Sequence, residues 1–243
     1  MWLDNGGFTP RSMNLLAFDT STETLSVAVR VGDAPVLGLD APGGAQASAT
    51  LIPAIRSLLA QAGVTLAQLD AIVFGRGPGS FTGIRTACSV AQGLSFGSGV
   101  PVLPVDTLLA IAEAARVDAG ATDVTALLDA RMDEVYWSRY VHDGQVWRAA
   151  RAIALAAPQD VEAPPQGVLA GNVFGPYGER LPAGLRRIEA KPTAGALIRL
   201  APGLIAAGYA VPAAGATPLY IRDKVAQTTE ERAAARAARP TPP

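Results

Sequence analysis

Two short stretches gather hydroxyls, a carboxylate and glycines in patterns that suit phosphate chemistry. The first is Asp19-Thr20-Ser21-Thr22, whose hydroxyl and amide groups can cradle a phosphate while Asp19 holds a hydrated Mg²⁺. The same residues also suit an Asx-type turn, in which side chains satisfy their own backbone, and composition alone favours that turn. The second is Gly75-Arg76-Gly77-Pro78-Gly79-Ser80-Phe81-Thr82-Gly83-Ile84-Arg85. Gly75, Gly77 and Gly79 permit a sharp turn with positive φ, Pro78 stiffens it, and Thr82 is placed to cap a helix. A glycine loop entering a helix leaves N–H groups unpaired. Such a junction holds an anion, with Gly77, Gly79 and Ser80 at the phosphate, or lets the backbone press against another surface. A turn with no ligand is an equal reading of the loop alone.

Other candidates are thinner. His142 is the only histidine and sits beside the turn signal Asp143-Gly144, so neither a paired-histidine metal site nor a Ser–His–Asp triad can be placed. The single cysteine, Cys88, lies in a helical pattern and reads as a small core residue, which leaves no internal disulfide. Asp129, Arg131, Asp133 and Glu134 cluster at a strand end and read as ion pairs before they read as a general base. Gly171, Gly175 and Gly178 fit turns as well as a further phosphate loop. Arg232, Arg236 and Arg239 form a solvated charge run.

The elements that must position these residues follow from periodicity. Leu15 to Phe18 is a buried strand, Leu25 to Val31 alternates as a half-buried strand, and Val36 to Leu39 completes a meander with Asp19 to Thr24 at its tip. Leu51 to Ala62 repeats at helical spacing and stops at Gly63. Strand Ala71 to Phe74 feeds the glycine loop, followed by helix Thr82 to Phe96, strand Val100 to Val105, and a helix from Leu108 capped by Asp106 or Thr107. A second unit offers strands at Val124 to Leu128 and Glu134 to Val141, a return from Gln145 to Ala149, a strand at Val168 to Ala170, a helix from Thr193 to Ala207 and an extended Leu219 to Arg222. The division expected is a loose extension at 1–12 with Met13 as a candidate start, α/β lobes at 13–106 and 107–227, and a flexible tail at 228–243.

The chain has 243 residues, 49% hydrophobic and 17% charged, enough for a sizeable core. A net charge of −1 argues against gripping nucleic acid through its own phosphate contacts. The N-terminus lacks a signal-peptide pattern, and the apolar stretch Ala194 to Ala216 is broken by Arg199, Pro202 and Pro212. A soluble cytoplasmic protein is expected.

From Asn14 to Ala226 the sequence resembles the TsaB (YeaZ) family, which takes part in making threonylcarbamoyladenosine in tRNA. The residues that carry the resemblance are Leu15 to Ser21, Gly75 to Arg85, Ala91-Gln92-Gly93-Leu94, Asp129 to Tyr136, and Pro218-Leu219-Tyr220-Ile221-Arg222. The glycine loop with its flanks is the most specific, and the rest convince by their order. The resemblance implies an actin/hexokinase-like (ASKHA) α/β fold of two lobes. It implies a non-catalytic subunit of the complex that makes N6-threonylcarbamoyladenosine at position 37 of tRNAs reading codons that begin with A. The catalytic paralogue TsaD and the ATPase TsaE would be its partners, with tRNA reached only through the complex, a homodimer when isolated, and no membrane contact. No cofactor would be tightly bound, with ATP or ADP the candidate at a complex interface. TsaD-like enzymes carry paired histidines on the first helix. Here Gln46 to Pro53 has none, not even the one that TsaB relatives often keep near Ala47, so no metal is expected. The glycoprotease-like label attached to the family has no peptidase constellation behind it in this sequence. The expected partner interface uses Leu51, Ile55 and Leu58 of the first helix and Thr82, Arg85, Ala87, Cys88 and Ala91 of the second. The alternative is an ATP-dependent small-molecule kinase or ATPase of the same fold, with Asp19, Thr20, Ser21, Gly77, Gly79 and Ser80 at the phosphates.

Overall fold

The computed structural model describes residues 12–222. Of the anticipated N-terminal extension only Ser12 falls within that range, and the anticipated tail at 228–243, with Arg232, Arg236 and Arg239, lies outside it.

The first sheet has strands β1 (Leu15–Asp19), β2 (Thr24–Arg30) and β3 (Leu37–Pro42), with β4 (Ala71–Gly77) and β5 (Val102–Asp106) added after helices α1 (Ala47–Ala62) and α2 (Phe81–Ser98). Its order is β3-β2-β1-β4-β5. β1 runs antiparallel to β2, with Ala17 opposite Ala28, and parallel to β4, with Ala17 beside Val73. Helix α3 (Thr107–Ala119) leads into a second sheet of β6 (Asp123–Arg131), β7 (Glu134–His142), β8 (Trp147–Ala149), β9 (Ala154–Ala156), β10 (Val168–Gly171) and, after the single-turn α4 (Phe174–Tyr177), β11 (Arg186–Glu189). Helix α5 (Ala194–Ala206) closes the set. The second order is β11-β10-β6-β7-β8, with β9 also on β7. It repeats the first: an antiparallel meander followed by two parallel strands on its inner edge. This duplicated order is the actin/hexokinase-like arrangement of two α/β lobes.

The side-chain period of two on β1 divides the first core. Leu16 and Phe18 face α1 and α2, whereas Leu15 and Ala17 face α5. Each large apolar side chain buried there contributes roughly 2–3 kcal/mol. The alternation on β2 suggests one wet face, yet Ser26 and Ala28 are also buried, because α5 covers them. Ser26 Oγ accepts a hydrogen bond from Ala194 N at 2.9 Å, the first residue of α5. Helix α5 thus returns to the first sheet, and assigning all of residues 107–227 to the second lobe does not describe how the cores divide. Gly63 ends α1 in the left-handed region, at φ 65°. Helix α2 begins at Phe81, with Ser80, two residues before Thr82, as its N-cap and without a side-chain capping bond. Among the described residues no helix is long and apolar enough to cross a membrane.

Candidate functional site

A cleft of about 570 Å³ opens between the lobes. The first lobe contributes Ser21, Thr22, Glu23, Gly79, Ser80, Phe81 and Arg85, and the second contributes Leu128 to Met132, Tyr136 and Asn172. The extended segment Leu219 to Arg222 supplies a further wall.

The two phosphate-like stretches meet beneath this cleft and spend their polar groups on each other. Thr20 Oγ1 donates to the Gly83 carbonyl at 2.7 Å, and Ser80 N donates to the Ser21 carbonyl at 2.7 Å. Asp19 Oδ1 accepts from Ser21 N at 2.8 Å and from Ser21 Oγ at 2.6 Å, which is the Asx-type turn. The glycines make room for this contact: a Cβ at Gly83 would collide with the Thr20 carbonyl oxygen, and one at Gly79 would lie 2.6 Å from the Ser21 oxygen. Of the three loop glycines only Gly77 has positive φ, at 112°. Ser21, Gly79 and Ser80 line the cleft, while Asp19, Thr20 and Gly77 lie behind it.

Asp19 is wholly buried, and its Oδ2 has no hydrogen-bond partner. Burial pushes its carboxyl up to about 6, against the opposing pull of the Ser21 hydrogen bonds and the Thr107 hydroxyl. A hydrated Mg²⁺ does not fit here, since Asp19 is wholly buried and Gly75 lies so close to Oδ2 that a β-carbon there would collide with it. Among the described residues no three His, Cys, Asp or Glu side chains gather as a metal site.

The carboxylates at the cleft edge are paired. Arg131 bridges the lobes by reaching Glu23 at 3.0 Å and also holds Asp129 at 3.2 Å, while Tyr177 Oη donates to Asp129 at 3.0 Å. Arg180 pairs with Asp133 at 3.2 Å and Arg222 with Glu134 at 2.7 Å. The strand-end cluster is therefore a set of ion pairs, with no carboxylate left bare for general-base work. His142 ends β7, half-buried, with its ring edge-on to Trp147 at 5.0 Å.

The expected partner surface needs correction. Leu51, Ile55, Leu58, Ala87, Cys88 and Ala91 are all in the first lobe's own core. The small face of α2 lets that helix approach its own sheet and the loop at Ala216, whose carbonyl accepts from Cys88 Sγ at 2.9 Å and from Gln92 Nε2 at 2.8 Å. Only Thr82 and Arg85 of the expected set are exposed. They belong to a different stripe, Thr82, Arg85, Ser89, Gly93 and Phe96, at spacings of three and four residues. Phe96 is 88% exposed, and Ile52 on the outer side of α1 is 47% exposed.

Sequence reasoning missed one buried joint. Glu113 on α3 accepts from Arg116 Nε at 2.8 Å, from Trp147 Nε1 on β8 at 2.9 Å and from Arg199 Nε on α5 at 3.1 Å. Burial would raise its carboxyl, but the bonds from Arg116, Trp147 and Arg199 outweigh that and hold it below its ordinary value. The available signal was a lone carboxylate inside the apolar helical run from Leu108 to Ala115.

A family-level sequence description, "TsaD: tRNA N6-adenosine threonylcarbamoyltransferase", matches residues 43–228. The chain is 34% identical over 224 residues to the tRNA threonylcarbamoyladenosine biosynthesis protein TsaB of Escherichia coli K12, covering 88% of this chain and 96% of that protein. The protein of the same name from Haemophilus influenzae is 45% identical over 137 residues, 55% of this chain and 56% of that protein. Among solved structures, YeaZ from Pseudomonas aeruginosa superimposes with a TM-score of 0.80 at 41% identity, covering 86% of this chain and 99% of that one.

Proposed function

The chain belongs to the TsaB (YeaZ) family of tRNA threonylcarbamoyladenosine biosynthesis proteins, and from that premise we propose that it is a non-catalytic scaffold subunit of the cytoplasmic assembly that installs N6-threonylcarbamoyladenosine. Its partners in this reading are the catalytic paralogue TsaD and the ATPase TsaE, with tRNA engaged through the complex. The observation that carries the proposal is the outward stripe of α2, where small residues Thr82, Ser89 and Gly93 lead to the bare ring of Phe96. Small side chains let a second helix approach closely, and an exposed aromatic supplies an anchor. In the isolated protein the same stripe pairs with a second copy about a two-fold axis.

The engagement of Ser80 N and of both Ser21 donors within the protein supports this reading over an ATP-dependent kinase. Any ATP or ADP belongs at an interface with a partner, and no cofactor is assigned to the chain alone. The test is co-purification with TsaD. Phe96→Asp is expected to keep its melting temperature and to lose the partner at least tenfold, since a charge placed in a buried interface costs roughly 2 kcal/mol or more. A folded variant that still binds TsaD overturns the docking face. ATP turnover by the purified chain overturns the scaffold role.

A further inference from the structure

We infer that Leu219–Arg222 is a latch that spans the two lobes and sets the opening of the cleft, fastened on one side by Arg85 and on the other by Arg222. Among the described residues the segment joins neither sheet as a strand, yet each end is held. At the first lobe, Leu219 N donates to the Arg76 carbonyl at 2.8 Å, and Gly77, at φ 112°, leaves room for the Leu219 carbonyl oxygen. Tyr220 Oη accepts from Arg85 Nε at 2.6 Å. The Arg85 guanidinium also lies 3.4 Å from the centroid of the Phe81 ring, and among the described residues it has no carboxylate partner.

At the second lobe the fastening is to the β6–β7 turn. Arg222 Nη2 donates to the carbonyls of Ala130 at 3.0 Å and Arg131 at 3.4 Å, while Nη1 reaches Glu134 at 2.7 Å. That turn is strained: Arg131, Met132 and Asp133 follow one another at φ 62°, 57° and 62°, a region that residues with a β-carbon avoid. Arg222 thus pins a turn whose backbone would otherwise gain by relaxing. Besides the exposed Arg131–Glu23 pair, the lobes are tied at the Glu113 joint, buried under α5 and β8. A fixed joint and a surface fastening whose Tyr220 is 48% exposed make a hinge with a clasp. Release of the clasp frees the turn and widens the cleft while both sheets stay folded.

Hydrogen exchange and limited trypsin digestion of the full chain test this. In Arg222→Ala, exchange of Ala130 to Glu134 and of Leu219 to Tyr220, together with cleavage after Arg131, is expected to rise roughly ten- to a hundredfold, the loss of a charged hydrogen-bond set. Exchange of β1, β4, β10 and the Val124 to Leu128 part of β6 is expected to stay unchanged. Unaltered exchange at the turn overturns the latch, and so does a uniform rise across both sheets, which would make Arg222 a general stabiliser. Should Arg222→Ala fail to fold, Tyr220→Phe decides. It loosens only the first-lobe end, so faster cleavage after Arg131 supports transmission along the segment, and an unchanged rate overturns it.

Discussion

Burial raises the Asp19 carboxyl to about 6 and leaves Oδ2 without a partner, so the charged form is a burden on the fold. The folded pKa lies above the unfolded one, so the folded state binds more protons between the two. The contribution is fully favourable below about pH 4 and is lost as pH rises through 6. At neutral pH it costs on the order of 3 kcal/mol. Urea unfolding at pH 4.5 and 7 checks this: the native chain should lose stability across that interval relative to Asp19→Asn, and parallel curves would show that Asp19 does not titrate there. Gly83 sets a second residue-level limit. A β-carbon there strikes the Thr20 carbonyl oxygen, and the Gly83 carbonyl accepts from the Thr20 hydroxyl, next to the Asp19 turn. Gly83→Ala is expected to cost roughly 1–3 kcal/mol, read as a lower melting temperature. No loss would mean that the two loops can part without consequence.

Helix α2 shows what a sequence can and cannot say about an element. Its periodicity and its flanking glycines mark the helix, and the small side chains Ala87, Cys88 and Ala91 mark a close-packing face. Periodicity does not say what a face packs against. Here it is the helix's own sheet, so Ala91→Glu should bury an unpaired charge and cost several kcal/mol. Circular dichroism melting of this variant beside Phe96→Asp separates the two faces, since only the first is expected to unfold. A folded Ala91→Glu would return Ala91 to the interface. Strands β1 and β4 were legible because their apolar runs are short, uninterrupted and bounded by turn residues. β11 was not, since Arg186-Arg187-Ile188-Glu189 buries only Ile188 and is a strand through backbone pairing with β10. The two loops were legible as special, but not their purpose. Glycines that accommodate a ligand and glycines that accommodate another backbone look alike until the second backbone is placed.

At the scale of the whole molecule, the lobes are tied by the Glu113 joint, which brings α3, α5 and β8 to one carboxylate. Its folded pKa lies below the ordinary value of 4.5, so its contribution is present above that pH and is lost as the solution becomes more acid. Glu113→Ala should lower stability at pH 7 by about 2 kcal/mol, discounted because both arginines are partly solvated, and the gap to the native chain should shrink toward pH 3. A constant gap would mean that packing rather than charge is lost. The return of α5 to the first sheet also has a consequence in time. Leu15, Ala17, Val73 and Leu103 present a face that α5 and the start of α3 cover. A ribosome finishes β5 about 100 residues before it finishes α5, and at about 5–20 residues per second the nascent sheet waits roughly 5–20 s with that face bare. The lobe made first is the lobe completed last, and the interval is when the growing chain is most open to capture by a chaperone or by another copy of itself.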